Sequence, residues 1–197
     1  MWKRTARWYD ALTAPLELVL LRRWRRRAAS AIPPGVRLLE IGAGTGLNAR
    51  FHPPVTFCAM TDASIEMLAV GSRRVPHLIR VVADVQQLPF RARTFDAALA
   101  TLVFCEVMDP AAGLAEVRRV LRQSGTAVFL EHVRPDNRLA GAVFDLLNRI
   151  TARCGEHVNR RTTDAIAAAG FRIDRLQCGL GSVLRLVAAT RQEGCAV

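Results

Sequence analysis

The sequence predicts an α/β fold in which a mostly parallel sheet is covered on both faces by helices and ends in an antiparallel hairpin. Three observations carry this expectation. Short apolar, β-branched-rich runs alternate with amphipathic segments along the chain. The first run, Val36-Arg37-Leu38-Leu39, leads directly into Glu40-Ile41-Gly42-Ala43-Gly44-Thr45-Gly46, a glycine turn that lets backbone amides approach a ligand at the strand ends. The last two runs are separated only by Gly179-Leu180-Gly181, so they pair as a hairpin.

In order along the chain, a helix is expected over about 5–30, with Leu12, Leu16, Val19 and Leu20 at near-helical spacing and Pro33-Pro34-Gly35 as its stop. Strands follow near 36–41 and 55–61, with a helix at 44–50 between them and another at 63–74. Ile79-Arg80-Val81-Val82-Ala83 marks a strand at 78–83, and the next strand runs over 95–102. A helix at 110–122 ends before the turn Gln123-Ser124-Gly125, which introduces a strand at 125–132. Helices at 136–153 and 161–169 come next, the second closed by Gly170 as a C′ glycine, and the hairpin strands lie at 171–178 and 183–190.

At 197 residues and 51% hydrophobic content the chain can bury a substantial core, and residues 1–197 read as one domain. No apolar run approaches the roughly 20 residues of a membrane span. The start Met1-Trp2-Lys3-Arg4 lacks the apolar stretch of a signal peptide. Cys58, Cys105, Cys154, Cys178 and Cys195 form no CxxC pair and are odd in number, which favours reduced thiols in a cytoplasm over a zinc site or a disulfide framework; no metal is expected. The formal charge is +11, and residues 1–30 hold eight Lys or Arg (Lys3, Arg4, Arg7, Arg22, Arg23, Arg25, Arg26, Arg27) against Asp10 and Glu17, a net +6. Trp8, Tyr9 and Trp24 bracket these charges. Two readings of the segment stand: a lid helix packed on its own domain with a solvated arginine face, or a peripheral contact with an anionic membrane surface. Nucleic acid is disfavoured, since no aromatic-basic array accompanies the charge.

Acids stand at or beside three successive strand ends: Glu40, Asp62 and Asp84. Asp62 falls 20 residues after Gly42, the distance at which a second-strand acid meets ribose hydroxyls. A dinucleotide fingerprint would place its third glycine at position 47, where Leu47 stands, so the spacing disfavours NAD.

Over residues 36–134 the chain resembles the class I S-adenosylmethionine-dependent methyltransferases. The resemblance rests on Glu40 to Gly46, Asp62-Ala63-Ser64-Ile65-Glu66-Met67-Leu68, Ala83-Asp84-Val85-Gln86-Gln87-Leu88-Pro89-Phe90 with Phe95-Asp96, and Val117 to Gly125. It implies a Rossmann-like three-layer sandwich with a seven-stranded sheet in the order 3-2-1-4-5-7-6, and S-adenosyl-L-methionine as cofactor. It places Gly42, Gly44 and Gly46 under the methionyl group and ribose, with Ala43 binding the cofactor from the same loop, Asp62 on the ribose, Ala63 and Met67 beside the adenine, and Asp84 and the Val85 amide on the adenine edge. Leu102 and Val103 would line the sulfonium side, and Glu40 would organise the glycine loop.

Methyl transfer from a sulfonium needs alignment and exclusion of water more than a base. Where the acceptor carries a proton, Glu106 and His132 are the candidate catalytic groups, because both follow strands at the ligand-bearing edge; Glu106 as a helix cap and His132 as a structural hydrogen-bonder are the competing readings. Cys105 is read as a packing residue. Within the superfamily the chain is similar to small enzymes that methylate lipophilic acceptors: phosphatidylethanolamine N-methyltransferases, quinone C-methyltransferases and methyltransferase-like thiol methyltransferases. Asn159-Arg160-Arg161-Thr162 matches the last group, but Gly155 is followed by Glu156 where that group has cysteine. The acceptor is thus read as a small lipophilic phospholipid amine, quinol or thiol. A non-catalytic adenosyl-binding or nucleic-acid-interacting module on the same fold is the alternative.

Overall fold

A computed structural model describes residue 10, residues 14–15, 17–154 and 157–192. Seven strands, β1 (Arg37–Ile41), β2 (Phe57–Asp62), β3 (Ile79–Val82), β4 (Phe95–Thr101), β5 (Leu121–His132), β6 (Phe171–Gly179) and β7 (Leu184–Arg191), form one sheet in the order β3-β2-β1-β4-β5-β7-β6. The pairs from β3 through β5 are parallel, and β7 runs antiparallel to both β5 and β6. The expected order and closing hairpin are therefore present.

Side-chain alternation along the strands divides the core between the two faces. Leu39, Ile41, Ala98, Ala100 and Phe129 pack with Leu114 and Val117 of α3 (Pro110–Val120) and Ile166 of α5 (Thr162–Ala168). Leu38, Met60, Leu99, Val128 and Leu186 pack on the other face with Trp24 and Ala28 of α1 (Arg22–Ser30). Helix α2 (Ile65–Arg74) starts at Ser64, whose hydroxyl accepts from Met67 N, and α3 starts at Asp109, whose carboxylate accepts from Ala111 N and Ala112 N. Helix α4 (Arg138–Thr151) connects β5 to α5. Among the described residues no helix is long and apolar enough to cross a membrane.

Three expectations change. The helix expected at 44–50 is absent: Gly44 and Gly46 take positive φ values of 55° and 78°, and only a short 3₁₀ turn, Ala49–Phe51, precedes Pro53-Pro54. Strand β5 starts at Leu121 rather than after Gly125; the anticipated turn survives as Ser124 at φ 57°, where the register against β4 shifts. The N-terminal helix is a π-helical turn, Glu17–Leu21, continued by α1, while residues 5–9, 11–13 and 16 of the expected span, with Trp8, Tyr9, Leu12 and Leu16, lie outside the described residues, as do Gly155 and Glu156. Its Arg25, read from the sequence as part of a solvated cationic face, is buried at 5% exposure.

Candidate functional site

The glycine turn is built by backbone geometry before any side chain contributes. Gly42 takes φ 60°, and a Cβ there would collide with Val103 Cγ2, so the loop after β1 lies against the turn after β4. Ala43 N donates to Thr61 O at 2.8 Å, and Gly44 N donates to Asp62 Oδ2 at 2.8 Å, which ties the loop to the end of β2. Asp62 Oδ1 accepts from Ser64 N at 2.8 Å. Burial pushes the Asp62 carboxyl above its ordinary value, the Ser64 and Gly44 amides oppose that shift, and the charge of Glu40 adds to it.

A cavity of about 310 Å³ opens at the C-terminal ends of the first four strands. That is at the small end of the range for small-molecule sites, about 300–1,000 Å³. Gly42, Ala43 and Gly44 line it from β1, Asp62, Ala63 and Met67 from β2 and α2, Asp84 and Val85 from β3, and Leu102, Val103 and Glu106 from β4. Ten of the predicted cofactor residues and Glu106 thus share one wall system. Asp84 Oδ1 accepts from Gln86 N at 2.9 Å and from its side-chain amide at 3.0 Å. Gly46, Glu40 and His132 are not among the lining residues. A Cβ on Gly46 would lie 3.4 Å from Met60 Cε and from Val75 Cγ2, so this glycine seats the loop on the neighbouring packing layer.

Glu40 is fully buried behind the loop. Its Oε1 accepts from Asn48 Nδ2 at 2.8 Å, and its Oε2 lies 3.0 Å from His52 Nε2. Asn48 donates in turn to Thr101 Oγ1 at 2.9 Å. Arg25 completes this network from α1: Nη1 donates to Asn48 Oδ1 at 2.9 Å and to Thr101 Oγ1 at 2.8 Å, and Nε donates to buried Glu17 at 2.9 Å. Arg25 and Thr101 also line the cavity. The sequence reading missed Arg25, Asn48, His52 and Thr101; polar residues in apolar surroundings were the available signal, but their partners are distant in sequence.

A second polar cluster sits where β4 and β5 end. Leu102 takes φ 57°, a strained conformation for a non-glycine residue. Glu131, at 2% exposure, holds this turn by accepting from Val103 N at 3.0 Å and Phe104 N at 3.2 Å. Burial pushes its carboxyl up to about 8; the Val103 and Phe104 amides and Arg160 pull it down, and Glu106 raises it further. His132 is drawn below its ordinary value by burial, against a backbone hydrogen bond at His157 and the charge of Glu106. Its Nε2 carries no hydrogen bond among the described residues. Cys105 is buried with Sγ 3.6 Å from Leu102 O, and burial pushes the Cys58 thiol up to about 12, so the Cys58 thiol packs rather than reacts.

The raised Glu131 value has a definite sign. Between the ordinary glutamate pKa of 4.5 and the folded value near 8, the unfolded chain releases a proton that the folded chain retains. Its stabilising contribution is complete below the lower value and is lost as pH rises through the upper one. Glu131→Gln keeps a neutral acceptor for both amides. The melting temperature of the wild type relative to this variant is therefore expected to fall between pH 5 and 9; a pH-independent difference would rule out the neutral carboxyl.

Comparison with known proteins gives concordant results. A family model described as a methyltransferase domain matches residues 39–129. The chain is 32% identical to a demethylmenaquinone methyltransferase of Mycolicibacterium paratuberculosis, covering 97% of this chain and 92% of that protein. It is 36% identical to a demethylmenaquinone methyltransferase of Mycobacterium sp. strain KMS over 73% of this chain, and spans 63% of that relative, just under two thirds. Among solved structures, an S-adenosylmethionine-dependent methyltransferase from Thermotoga maritima, described as a possible histamine N-methyltransferase, superposes with a TM-score of 0.74 at 19% identity, covering 97% of this chain and 98% of that one. At that identity the likeness establishes the fold.

Proposed function

Because this chain belongs to the S-adenosylmethionine-dependent methyltransferases, we propose that it moves a methyl group onto a small lipophilic acceptor of the quinol type, the class named for its mycobacterial relatives. S-adenosyl-L-methionine supplies, when bound, an electrophilic methyl group on a sulfonium. The observation that carries the site assignment is Asp62. Its carboxylate is oriented by two backbone amides while still lining the cavity, an arrangement suited to accepting from ribose hydroxyls.

The remaining roles follow the walls. Asp84 and the Val85 amide would hold the adenine edge, Ala63 and Met67 would flank its ring, and the glycine loop with Leu102 and Val103 would surround the reactive end. Arg25 supplies a buried cation at the cavity for the methionyl carboxylate, and none of its bonds to Glu17, Asn48 and Thr101 uses Nη2. Glu40 acts at one remove by fixing Asn48 and His52. Residues 1–197 work as one methyltransferase domain in which α1 seats Arg25 at the cavity, a reading supported by the bonds from Arg25 to Thr101 and Asn48. Association with an anionic bilayer surface fits an acceptor that dissolves in lipid.

On the acceptor side, the Leu102–Phe104 turn is held by buried Glu131, which positions the cavity wall without touching a reactant. Glu106, exposed at the cavity, can take a proton from an acidic acceptor position, and its charge also bears on His132, whose imidazole burial holds below its ordinary value. Met108 leaves an apolar mouth, being 86% exposed and part of the lining.

The test is a comparison of labelled methyl transfer from S-adenosylmethionine to reduced demethylated quinols, phospholipid amines and aliphatic thiols. Transfer to the quinol at a kcat/KM at least about tenfold above the other pools is expected. Exclusive labelling of phospholipid or thiol would replace the acceptor assignment, and salt-dependent nucleic-acid binding with no transfer would replace the enzyme reading.

A further inference from the structure

We propose that α4 is a docking face for an anionic lipid bilayer. The helix turns an apolar stripe outward: Leu139, Val143, Leu146 and Ile150 follow one another at steps of four, three and four residues, with Leu147 beside them, all between 45% and 81% exposed. Within the helix only Gly141 is buried. A contiguous solvent-facing stripe of this kind marks an interaction site rather than scattered surface leucines.

Charge selects the occupant. Exposed Arg138 and Arg149 flank the stripe on one side, and exposed Arg153 continues that flank beyond the helix. The single acid in the helix, Asp145, is taken by Arg134 Nη2 at 2.9 Å and Asn159 Nδ2 at 3.1 Å. Asp136, just before the helix, is held by Arg185 Nη2 at 2.5 Å. An apolar stripe with a cationic flank and, among the described residues of the helix and its N-terminal approach, no uncommitted carboxylate matches the acyl and headgroup layers of an anionic membrane.

Connectivity relates this face to the cavity. Val158 N donates to Asn148 Oδ1 of α4 at 3.0 Å, His157 N donates to Cys105 O at 2.9 Å, and Arg160 Nη1 donates to Phe104 O at 2.8 Å. The 157–160 loop thus ties the inner side of α4 to the β4 wall of the site, so docking by the outer stripe would hold the cavity's domain at the layer in which a lipid-dissolved acceptor resides. That purpose rests on the lipophilic-acceptor reading. By contrast, α1, within the basic segment 1–30, buries Trp24 and Ala28 against the sheet and leaves only Arg22, Arg23, Arg26 and Ser30 exposed.

Cosedimentation of the full chain with vesicles of phosphatidylcholine alone, or with added phosphatidylglycerol, tests the proposal without donor or acceptor, so its outcome is independent of methyl transfer. The wild type is expected to partition onto phosphatidylglycerol vesicles. Leu146→Ser with Ile150→Ser, and separately Leu139→Ser with Val143→Ser, should each lower the partition coefficient at least about tenfold, with melting temperature and S-adenosylhomocysteine affinity unchanged. Arg138→Gln with Arg149→Gln should remove the phosphatidylglycerol preference, and Arg22→Gln with Arg23→Gln and Arg26→Gln should stay within about threefold of wild type. Failure of the wild type to bind, unchanged partitioning of both serine variants, or a dimer dissociated by them while vesicle binding persists would overturn it.

Discussion

Gly42→Ala is expected to raise the dissociation constant for S-adenosylhomocysteine by about 30-fold or more. Gly42 sits at φ 60°, where an L-residue costs about 1–2 kcal/mol. The new methyl group would also collide with Val103 Cγ2 and lie 3.1 Å from Cγ1, and overpacking of that kind costs about 1–3 kcal/mol. The loop can relieve both only by leaving the position in which Gly44 N reaches Asp62. With each ~1.4 kcal/mol worth tenfold in affinity, the combined penalty of roughly 2–5 kcal/mol sets the expected range. Val103→Ala in the same background removes the collision but not the backbone strain, so it should restore part of the affinity. Equilibrium dialysis that finds the single variant within about threefold of wild type would exclude this account of the loop.

The second large effect is on stability. Arg25→Met removes the nearer partner of Glu17, which is 6% exposed, and the donor to Asn48 and Thr101, leaving Glu17 only Arg50 Nη2 at 3.8 Å. Breaking one side of a buried ion pair costs about 3–5 kcal/mol, and Arg50, half exposed and farther away, offsets only part of the charge left on Glu17. At roughly 2–4 °C per kcal/mol for a domain of this size, the melting temperature should fall by about 6–20 °C. Glu17→Gln combined with Arg25→Met removes the stranded charge and should recover part of the loss. A fall below about 2 °C in the single variant would mean that the network contributes little. Because Arg25 also lines the cavity, the double variant separates the roles: stability returns while donor affinity stays low.

What was legible in the sequence was local. Gly42, Gly44, Asp62 and Asp84 each sit a fixed step from a strand end, and a parallel sheet brings such steps to one edge, so the shared cavity wall could be anticipated before the fold was known. The hairpin at Gly179-Leu180-Gly181 was equally local. What escaped depended on long-range pairing. Arg25 meets Asn48 and Thr101 at sequence separations of 23 and 76, and Glu131 meets the Val103 and Phe104 amides at separations of 28 and 27. An arginine within a run of arginines gives no sign that it alone turns inward. The helix expected at 44–50 failed for a different reason, since two positive-φ glycines and the capture of Asn48 by Glu40 and Thr101 outweigh local helical propensity. His132, placed at the ligand-bearing edge by its strand, is not among the residues lining the cavity.

Calorimetric titration of S-adenosylhomocysteine into the wild-type chain and Asp62→Ala tests the central claim most directly, namely that the cavity at the ends of β1 to β4 holds the methyl donor. One saturable site per chain is expected in the wild type, and at least about a hundredfold weaker binding in the variant, whose loss of a charged acceptor amounts to about 3 kcal/mol. A folded wild type that takes up no ligand, or an Asp62→Ala variant that binds as tightly, would contradict it.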